Sequence, residues 1–265
     1  MPKPTDVRAR LNRAARALLT DGSSGSPPQP RDPTVLDTAT PDEVAIVERA
    51  APYTMTSHAR MLANIDAVDH VVRRGLPGAL VECGVWRGGS VLVMLERLKQ
   101  LGVTDRDVYL FDTFEGMTPP TTEDVSPFQP PAAQIWAATP PDQRAWEDVL
   151  GDRHLYSVDG VRSLLTSTGY PADRLHFVAG PVEETVPARA PETIAVLRLD
   201  TDWYESTAHE LTHLYPRLCS GGVLVIDDYG HWQGARKAVD EFFATAAEPI
   251  LLSRLDYAAR IGVKS

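Results

Sequence analysis

The chain has 265 residues, with 26 Lys and Arg against 36 Asp and Glu, so its formal net charge is −10. That length makes one large domain or two small ones and buries a core without metal or disulfide staples. The acidic balance argues against a nucleic-acid partner, whose phosphates need a basic face, and no apolar run reaches the ~20 residues of a membrane span.

Residues 1–19 are Arg-rich and lack a continuous apolar stretch, so no secretory signal is expected and a cytoplasmic location is. Val7, Leu11, Ala14, Ala15, Leu18 and Leu19 recur at helical spacing, which predicts a short helix over 4–20. DGSSGSPPQPRDP at 21–33 is a linker, either a surface connection or a flap. A second helix begins near Thr40, a cap followed by Pro41. A third runs from about 57 to 74, with Met61, Leu62, Ile65, Val68 and Val72 as its apolar stripe. Residues 1–52 therefore read as a helical extension with a linker, ahead of a main domain at 53–265.

From Gly78 onward strands alternate with helices. The predicted strands are 78–84, 107–112, 174–180, 193–200 and 221–230; helices are expected over 89–102, 158–168, 204–218 and 234–247. Continuous apolar strands between helices mean a doubly wound, mostly parallel α/β sheet covered on both faces. The Pro- and Thr-rich stretch 113–157 is a lid-like insertion. Cys83, within an apolar run, and Cys219, near the end of a helical one, have no metal spacing and read as buried reduced thiols.

In such sheets ligands sit outside the carboxyl ends of the strands, and here those ends carry Glu82–Gly84, Asp112, Gly180, Asp200 and Asp227–Asp228. Glu82-Cys-Gly-Val-Trp-Arg-Gly-Gly-Ser90 is a strand-to-helix turn, with Asp112 ending the next strand. A nicotinamide dinucleotide fold wants G-x-G-x-x-G there, and Trp86 stands where the second glycine belongs. A ligand with a ribose and no pyrophosphate, such as S-adenosylmethionine, fits better. Glu82 and the turn would lie near its methionine end, and Asp112 would accept the ribose hydroxyls. Otherwise the turn merely packs helix on strand. Arg87 is either a partner of the methionine carboxylate or a surface charge. Glu183 either lies near the adenine or is a first-turn helix acid.

Asp200, Asp202, Asp227 and Asp228 converge if consecutive strands are neighbours. Like charges at one site require a cation or a proton. Oxygen-only ligands select a hard cation, Mg²⁺ ahead of Ca²⁺ or Mn²⁺. Alternatively one or more of these acids is a helix cap. His231 and Trp232 line an acceptor pocket or serve structure, and Trp203 and Tyr204 stack on a sugar or belong to the core.

With these residues in view the chain resembles the macrocin O-methyltransferase family. The segments that carry the resemblance are Tyr53–Thr56, VECGVWRGGS (81–90), YLFDTFEGM (109–117), 169–171, FVAGPVEETVP (177–187), LRLDTDWYEST (197–207) and VLVIDDYGHWQGARKAVDEFF (223–243). The resemblance implies a class I S-adenosylmethionine-dependent, Rossmann-like methyltransferase fold, Mg²⁺, a sugar hydroxyl as acceptor and a homodimer. It matches Asp200, Asp227 and Asp228 to the metal ligands and Asp202 to a general base. Thr54, Met55, Ser90 and Gly180 fall in these segments and join the expected cofactor site, and Tyr229 joins the expected acceptor site. The expected activity is methylation of a deoxysugar on an antibiotic-type glycoside. The alternatives are a catechol-like phenol as acceptor and a non-catalytic binding protein of the same fold.

Overall fold

The computed structural model describes residues 34–140, 152–246 and 249–265. The chain divides into two units, Met1–Asp37 and Thr38–Ser265. The helix and linker expected over 4–33 lie outside the described residues. Of the first unit, only the start of a 3₁₀ turn (Val35–Thr38) is described, where Asp37 accepts the Thr34 backbone N–H at 2.6 Å.

The second unit begins with helix α1 (Pro41–Ala50), whose N-terminus is a full capping box. The Thr40 hydroxyl takes the Glu43 N–H, Glu43 takes the Thr40 N–H, and Pro41 sits where an N–H has no partner. Helix α2 (His58–Arg73) starts at the Ser57 cap and buries Met61, Ile65 and Val68, with Leu62 and Val72 half-buried at the edges of the stripe. Then come β1 (Ala79–Cys83), α3 (Gly89–Gln100) and β2 (Val108–Asp112). The insertion contributes α4 (Ala132–Ala138) and the short α5 (Arg153–Tyr156). The chain continues through α6 (Val158–Thr166), β3 (Leu175–Ala179), the single turn α7 (Val182–Thr185), β4 (Ile194–Leu199), α8 (Tyr204–Leu214), β5 (Leu218–Ile226) and α9 (Gln233–Thr245).

The strands lie in the order β3-β2-β1-β4-β5, all parallel, and β7 (Arg260–Val263) then β6 (Ser253–Arg254) complete the sheet antiparallel. This is the doubly wound, mostly parallel sheet expected. Alternation along the strands sends Val81, Cys83, Leu197, Leu199, Leu224 and Ile226 into one core with Leu211 and Leu214 of α8 and Val239 of α9. Leu80, Glu82, Val196 and Arg198 fall on the other face, toward α2, which contacts β4 and β5.

Two details depart from the sequence reading. Cys219 is the second residue of β5 and half-buried, because Pro216 ends helical structure in one 3₁₀ turn (Tyr215–Arg217). The β6–β7 edge is also new; its two short strands carry no alternation long enough to be read.

The sheet's hydrogen bonding runs past the strand ends. The Gly84 N–H reaches Phe111 O at 2.9 Å, Asp200 N–H reaches Cys83 O at 2.8 Å, Asp227 N–H reaches Leu199 O at 2.9 Å, and Gly180 N–H reaches Asp112 O at 3.0 Å. The acids are thereby drawn into one row. Gly84 adopts φ +81°, and a methyl there would overlap the Asp200 carbonyl oxygen. We therefore expect Gly84→Ala to cost roughly 2–5 kcal/mol, left-handed strain plus a backbone collision. Gly102→Ala, with φ +72° and open space around it, should cost only about 1–2 kcal/mol. Urea unfolding of both variants checks this; equal losses would mean the strand-end contact contributes nothing.

Candidate active site

The turns after β1, β2, β3 and β4 surround an open cleft. Gly84, Trp86, Phe111, Asp112, Gly180, Val182 and Glu183 line one part; Asp200, Thr201, Asp202 and Ser206 line another; Met117, Thr118 and Tyr156 come from the insertion. All three non-glycine residues with positive φ among the described residues stand at this edge: Trp86 (48°), Phe114 (54°) and Asp202 (67°). Left-handed backbone is costly for residues with a Cβ, so it persists where surrounding bonds over-determine it. At the first two positions that bond donor-acceptor set is Asp112, whose Oδ2 accepts the Val85 and Trp86 N–H (2.6 and 3.0 Å) and whose Oδ1 accepts Phe114 N–H (2.7 Å). Burial still raises the Asp112 carboxyl above its usual range, against those bonds.

Register explains the charge network beneath the cleft. Glu82 of β1 is directly opposite Arg198 of β4. Arg198, 0% exposed, donates Nη1 to Glu82 and to Asp200, both at 2.6 Å, and Nη2 to Asp227 at 2.5 Å. Arg60, from α2, meets the other Asp227 oxygen and grips Asp256, in the β6–β7 loop, at 2.7 and 3.2 Å. Burial would raise Asp256, yet Arg60 and the backbone N–H groups of Ala258 and Ala259 hold it well below the usual carboxylate range.

Asp227 and Asp228 are buried at the end of β5. Asp228 Oδ2 accepts the Asp202 N–H at 3.2 Å, and Asp202 Oδ1 accepts Trp232 Nε1–H at 2.7 Å. Glu82, Asp200, Asp202, Asp227 and Asp228 thus face only Arg60 and Arg198 in these contacts. Burial and mutual repulsion push Asp200 and Asp228 well above the usual range, and Asp202 and Glu82 each to about 7. A proton or a metal cation supplies the missing positive charge. Asp200, Asp227 and Asp228 each offer an oxygen within 4.8 Å of the others, an all-carboxylate donor set that suits a hard dication such as Mg²⁺.

The insertion is fastened by one buried acid. Asp124 takes the Thr121 N–H and hydroxyl (2.6 and 2.9 Å) on Oδ2 and the first N–H of α8, at Tyr204, on Oδ1 (2.8 Å). Gly234, in the first turn of α9, lies against the same carboxylate. Val125 O accepts Gln233 N–H (2.9 Å), Thr118 O accepts Trp203 Nε1–H (2.9 Å), and Ala132 packs on Trp203 and Trp232. The positive ends of two helices converge on one carboxylate, an arrangement their dipoles favour.

Of the sequence-predicted cofactor residues, Met55, Gly84, Asp112, Gly180 and Glu183 line the cleft. Thr54 bonds Thr56 and packs with Tyr53 over Gly89; Ser90 is buried in the first turn of α3; Arg87 stacks on Trp86 with 4.5 Å from guanidinium to ring centroid. None of these three is in the lining, nor is Glu82, which is 1% exposed and paired with Arg198 instead of facing the cleft. Asp200, Asp227 and Asp228 come together as the expected metal set, with Asp202 beside them. Tyr204 and Tyr229 turn away, their hydroxyls bonded to Glu241 (2.8 Å) and Asp240 (2.7 Å) of α9. Trp232 supports Asp202, and His231 bonds the Tyr257 hydroxyl at 3.0 Å.

Arg198, Arg60, Asp256, Asp124 and Glu210 escaped the sequence reading. Arg198 carried a signal, since an arginine inside the apolar run TIAVLRLD must be paired. The others depend on long-range contacts.

Glu210 of α8 is fully buried below the Asp200–Asp202 turn, where the Thr201 hydroxyl donates to it at 3.0 Å beside the Cys83 thiol.

Comparison with known proteins places these features. The model of the family described as macrocin-O-methyltransferase (TylF) matches residues 38–260. Mycinamicin III 3''-O-methyltransferase of Micromonospora griseorubida is 34% identical over 217 residues, covering 76% of this chain and 77% of that protein. Demethyldecarbamoylnovobiocin O-methyltransferase of Streptomyces niveus is 32% identical over 209 residues, covering 74% and 71%. The solved O-methyltransferase NovP superposes with a TM-score of 0.67 at 30% identity, over 80% of this chain and 82% of that one. The architecture is the class I methyltransferase fold.

Burial raises the Glu210 carboxyl from 4.5 to about 8. The folded chain thus holds this proton where the unfolded chain has lost it. Its contribution to stability is whole below about 4.5 and is lost as pH rises toward about 8. Glu210→Gln, which keeps the shape without the titration, should show a thermal midpoint that falls less than wild type between pH 5 and 8. Parallel curves in calorimetry would remove Glu210 from the pH dependence.

Proposed function

The chain belongs to the macrocin-O-methyltransferase family, and from that premise we propose that it is an S-adenosylmethionine- and Mg²⁺-dependent O-methyltransferase acting on a deoxysugar hydroxyl of an antibiotic-type glycoside. The observation that carries this reading is the convergence of Asp200, Asp202, Asp227 and Asp228 at one end of a cleft whose other end is lined by Gly84, Asp112, Gly180 and Glu183. A further relative, from Streptomyces olivaceus and 36% identical over 177 residues, is named as a 4'-O-methyltransferase of a rhamnosyl tetracenomycin, which favours a sugar over a phenol.

The nucleoside would lie along Gly84, Asp112, Gly180 and Glu183, with Phe111 and Val182 as apolar walls. Asp200, Asp227 and Asp228 would hold the dication. When bound, S-adenosylmethionine brings an activated methyl group and the dication lowers the pKa of a hydroxyl placed on it. The chain does the rest. Asp202, fixed through Oδ1 by Trp232 and through its N–H by Asp228, accepts the proton of the attacking hydroxyl as general base. Arg198 and Arg60 keep the neighbouring carboxylates in place. The cleft orients the two reactants and limits water around them.

Two measurements test this. Asp202→Asn should lower kcat by about 10²–10⁴-fold with S-adenosylhomocysteine affinity unchanged; near-normal turnover would take Asp202 out of the base role. Asp228→Asn should weaken Mg²⁺ binding roughly tenfold or more in calorimetric titration, while the nucleoside still binds. Absence of nucleoside binding to wild type would overturn the methyltransferase reading.

A further inference from the structure

Three rings stand together beside the carboxylate cluster. Phe128 comes from the insertion, His231 from the segment after β5, and Tyr257 from the β6–β7 loop. Phe128 stacks on His231 at 5.5 Å and meets Tyr257 edge-on at 5.5 Å, while His231 Nδ1 and the Tyr257 hydroxyl share a hydrogen bond of 3.0 Å. Phe128 and Tyr257 are both 61% exposed, an unusual state for large rings already packed on one another.

The group is tied to the cluster at three points. His231 and Trp232 both donate their backbone N–H to Asp228 O at 3.0 Å. The Trp232 ring meets His231 edge-on at 5.2 Å and holds Asp202 through Nε1. Arg60 contacts Asp227 and Asp256, and its guanidinium carbon lies 6.0 Å from the Tyr257 centroid. Each ring is also held in place. A bridge between Ser126 and Gln129 pins the turn bearing Phe128, and Asp256 braces the loop bearing Tyr257 by accepting the Ala258 and Ala259 N–H at 2.9 and 2.8 Å.

We propose that Phe128, His231 and Tyr257 form the subsite for the aglycone of the acceptor glycoside, taking its apolar or aromatic ring face. The inference rests on the glycoside reading above. The reacting hydroxyl must reach carboxylates that are nearly buried, so the bulk of a glycoside acceptor stays outside the cluster. The remainder of the acceptor then leaves the cluster where these rings border it. Flat ring faces held in place, with the polar atoms of His231 and Tyr257 bonded to each other, suit a bulky apolar group that is carried along and takes no part in the chemistry.

The test uses the full chain with S-adenosylhomocysteine and Mg²⁺, titrated with 4-nitrophenyl α-L-rhamnopyranoside and with methyl α-L-rhamnopyranoside. These probes share a 6-deoxysugar and differ in the aglycone. Wild type should prefer the aryl glycoside by about three- to tenfold. Phe128→Ala and Tyr257→Ala should abolish that preference, while nucleoside binding and the unfolding midpoint stay near wild type. Tyr257→Phe, which keeps the ring, should retain it. A preference that survives both alanine variants would overturn the subsite alone. So would alanine variants that retain the preference and lose self-association in light scattering, which would assign the rings to a contact between copies. Failure of both glycosides to bind wild type, with the nucleoside bound, would overturn the acceptor class and the subsite together.

Discussion

A single guanidinium inside the sheet holds the site in register. Arg198 projects from the middle of a parallel sheet and binds carboxylates contributed by three strand ends, those of β1, β4 and β5. Its two Nη groups are met by these carboxylates while Nε has no hydrogen-bond partner among the described residues, and removing one partner of such a buried pair typically costs about 3–5 kcal/mol. The acids in turn are tolerated because of the arginine. Arg60 extends the same logic outward, joining α2 to β5 and to the β6–β7 loop. Elements distant in sequence are therefore positioned by charge balance as well as by apolar packing.

The carboxylates serve different purposes according to what already occupies their oxygens. Asp112 spends both oxygens on backbone N–H groups and shapes the glycine turn. Asp124 does the same for the insertion and for α8. Asp228 accepts one backbone N–H, and Asp202 accepts one indole N–H. At the foot of the cleft the partners are arginines: Asp227 has one oxygen on Arg198 and the other on Arg60, and Asp200 meets Arg198 through Oδ2. This division is an outcome of local geometry, since all are aspartates at the ends of strands or in the loops beyond them.

Much of the architecture was legible because parallel strands write themselves as continuous apolar runs, as in ALVEC and VLVI, and because Thr40–Pro41, Ser57 and Gly102 punctuate helices. The row of acids was legible too, from strand–acid adjacency. The pairing of Glu82 with Arg198 was not legible, because a strand-end acid looks the same whether it faces a ligand or a buried arginine. Where the Tyr204 and Tyr229 hydroxyls go was not legible, because an aromatic beside a site residue points either way; both bond carboxylates on α9. Asp124, Asp256 and Arg60 act over long sequence separations, where no period or spacing marks a partner. The β6–β7 hairpin was missed because its strands span two and four residues.

The clasp at Asp124 separates two parts of the chain by how freely they can change. The carboxylate and its neighbours Thr121, Tyr204 and Gly234 fix where the insertion leaves the body of the protein. Chain beyond such an anchor can lengthen, shorten or be exchanged at small entropic cost, since closure entropy grows only slowly with loop length. Drift or recombination in that stretch would alter the surface that bears Phe128, while the acids at the foot of the cleft keep their spacing. One buried aspartate thus makes the fold a stable host for diversification, with reaction chemistry inherited and molecular preference renewed.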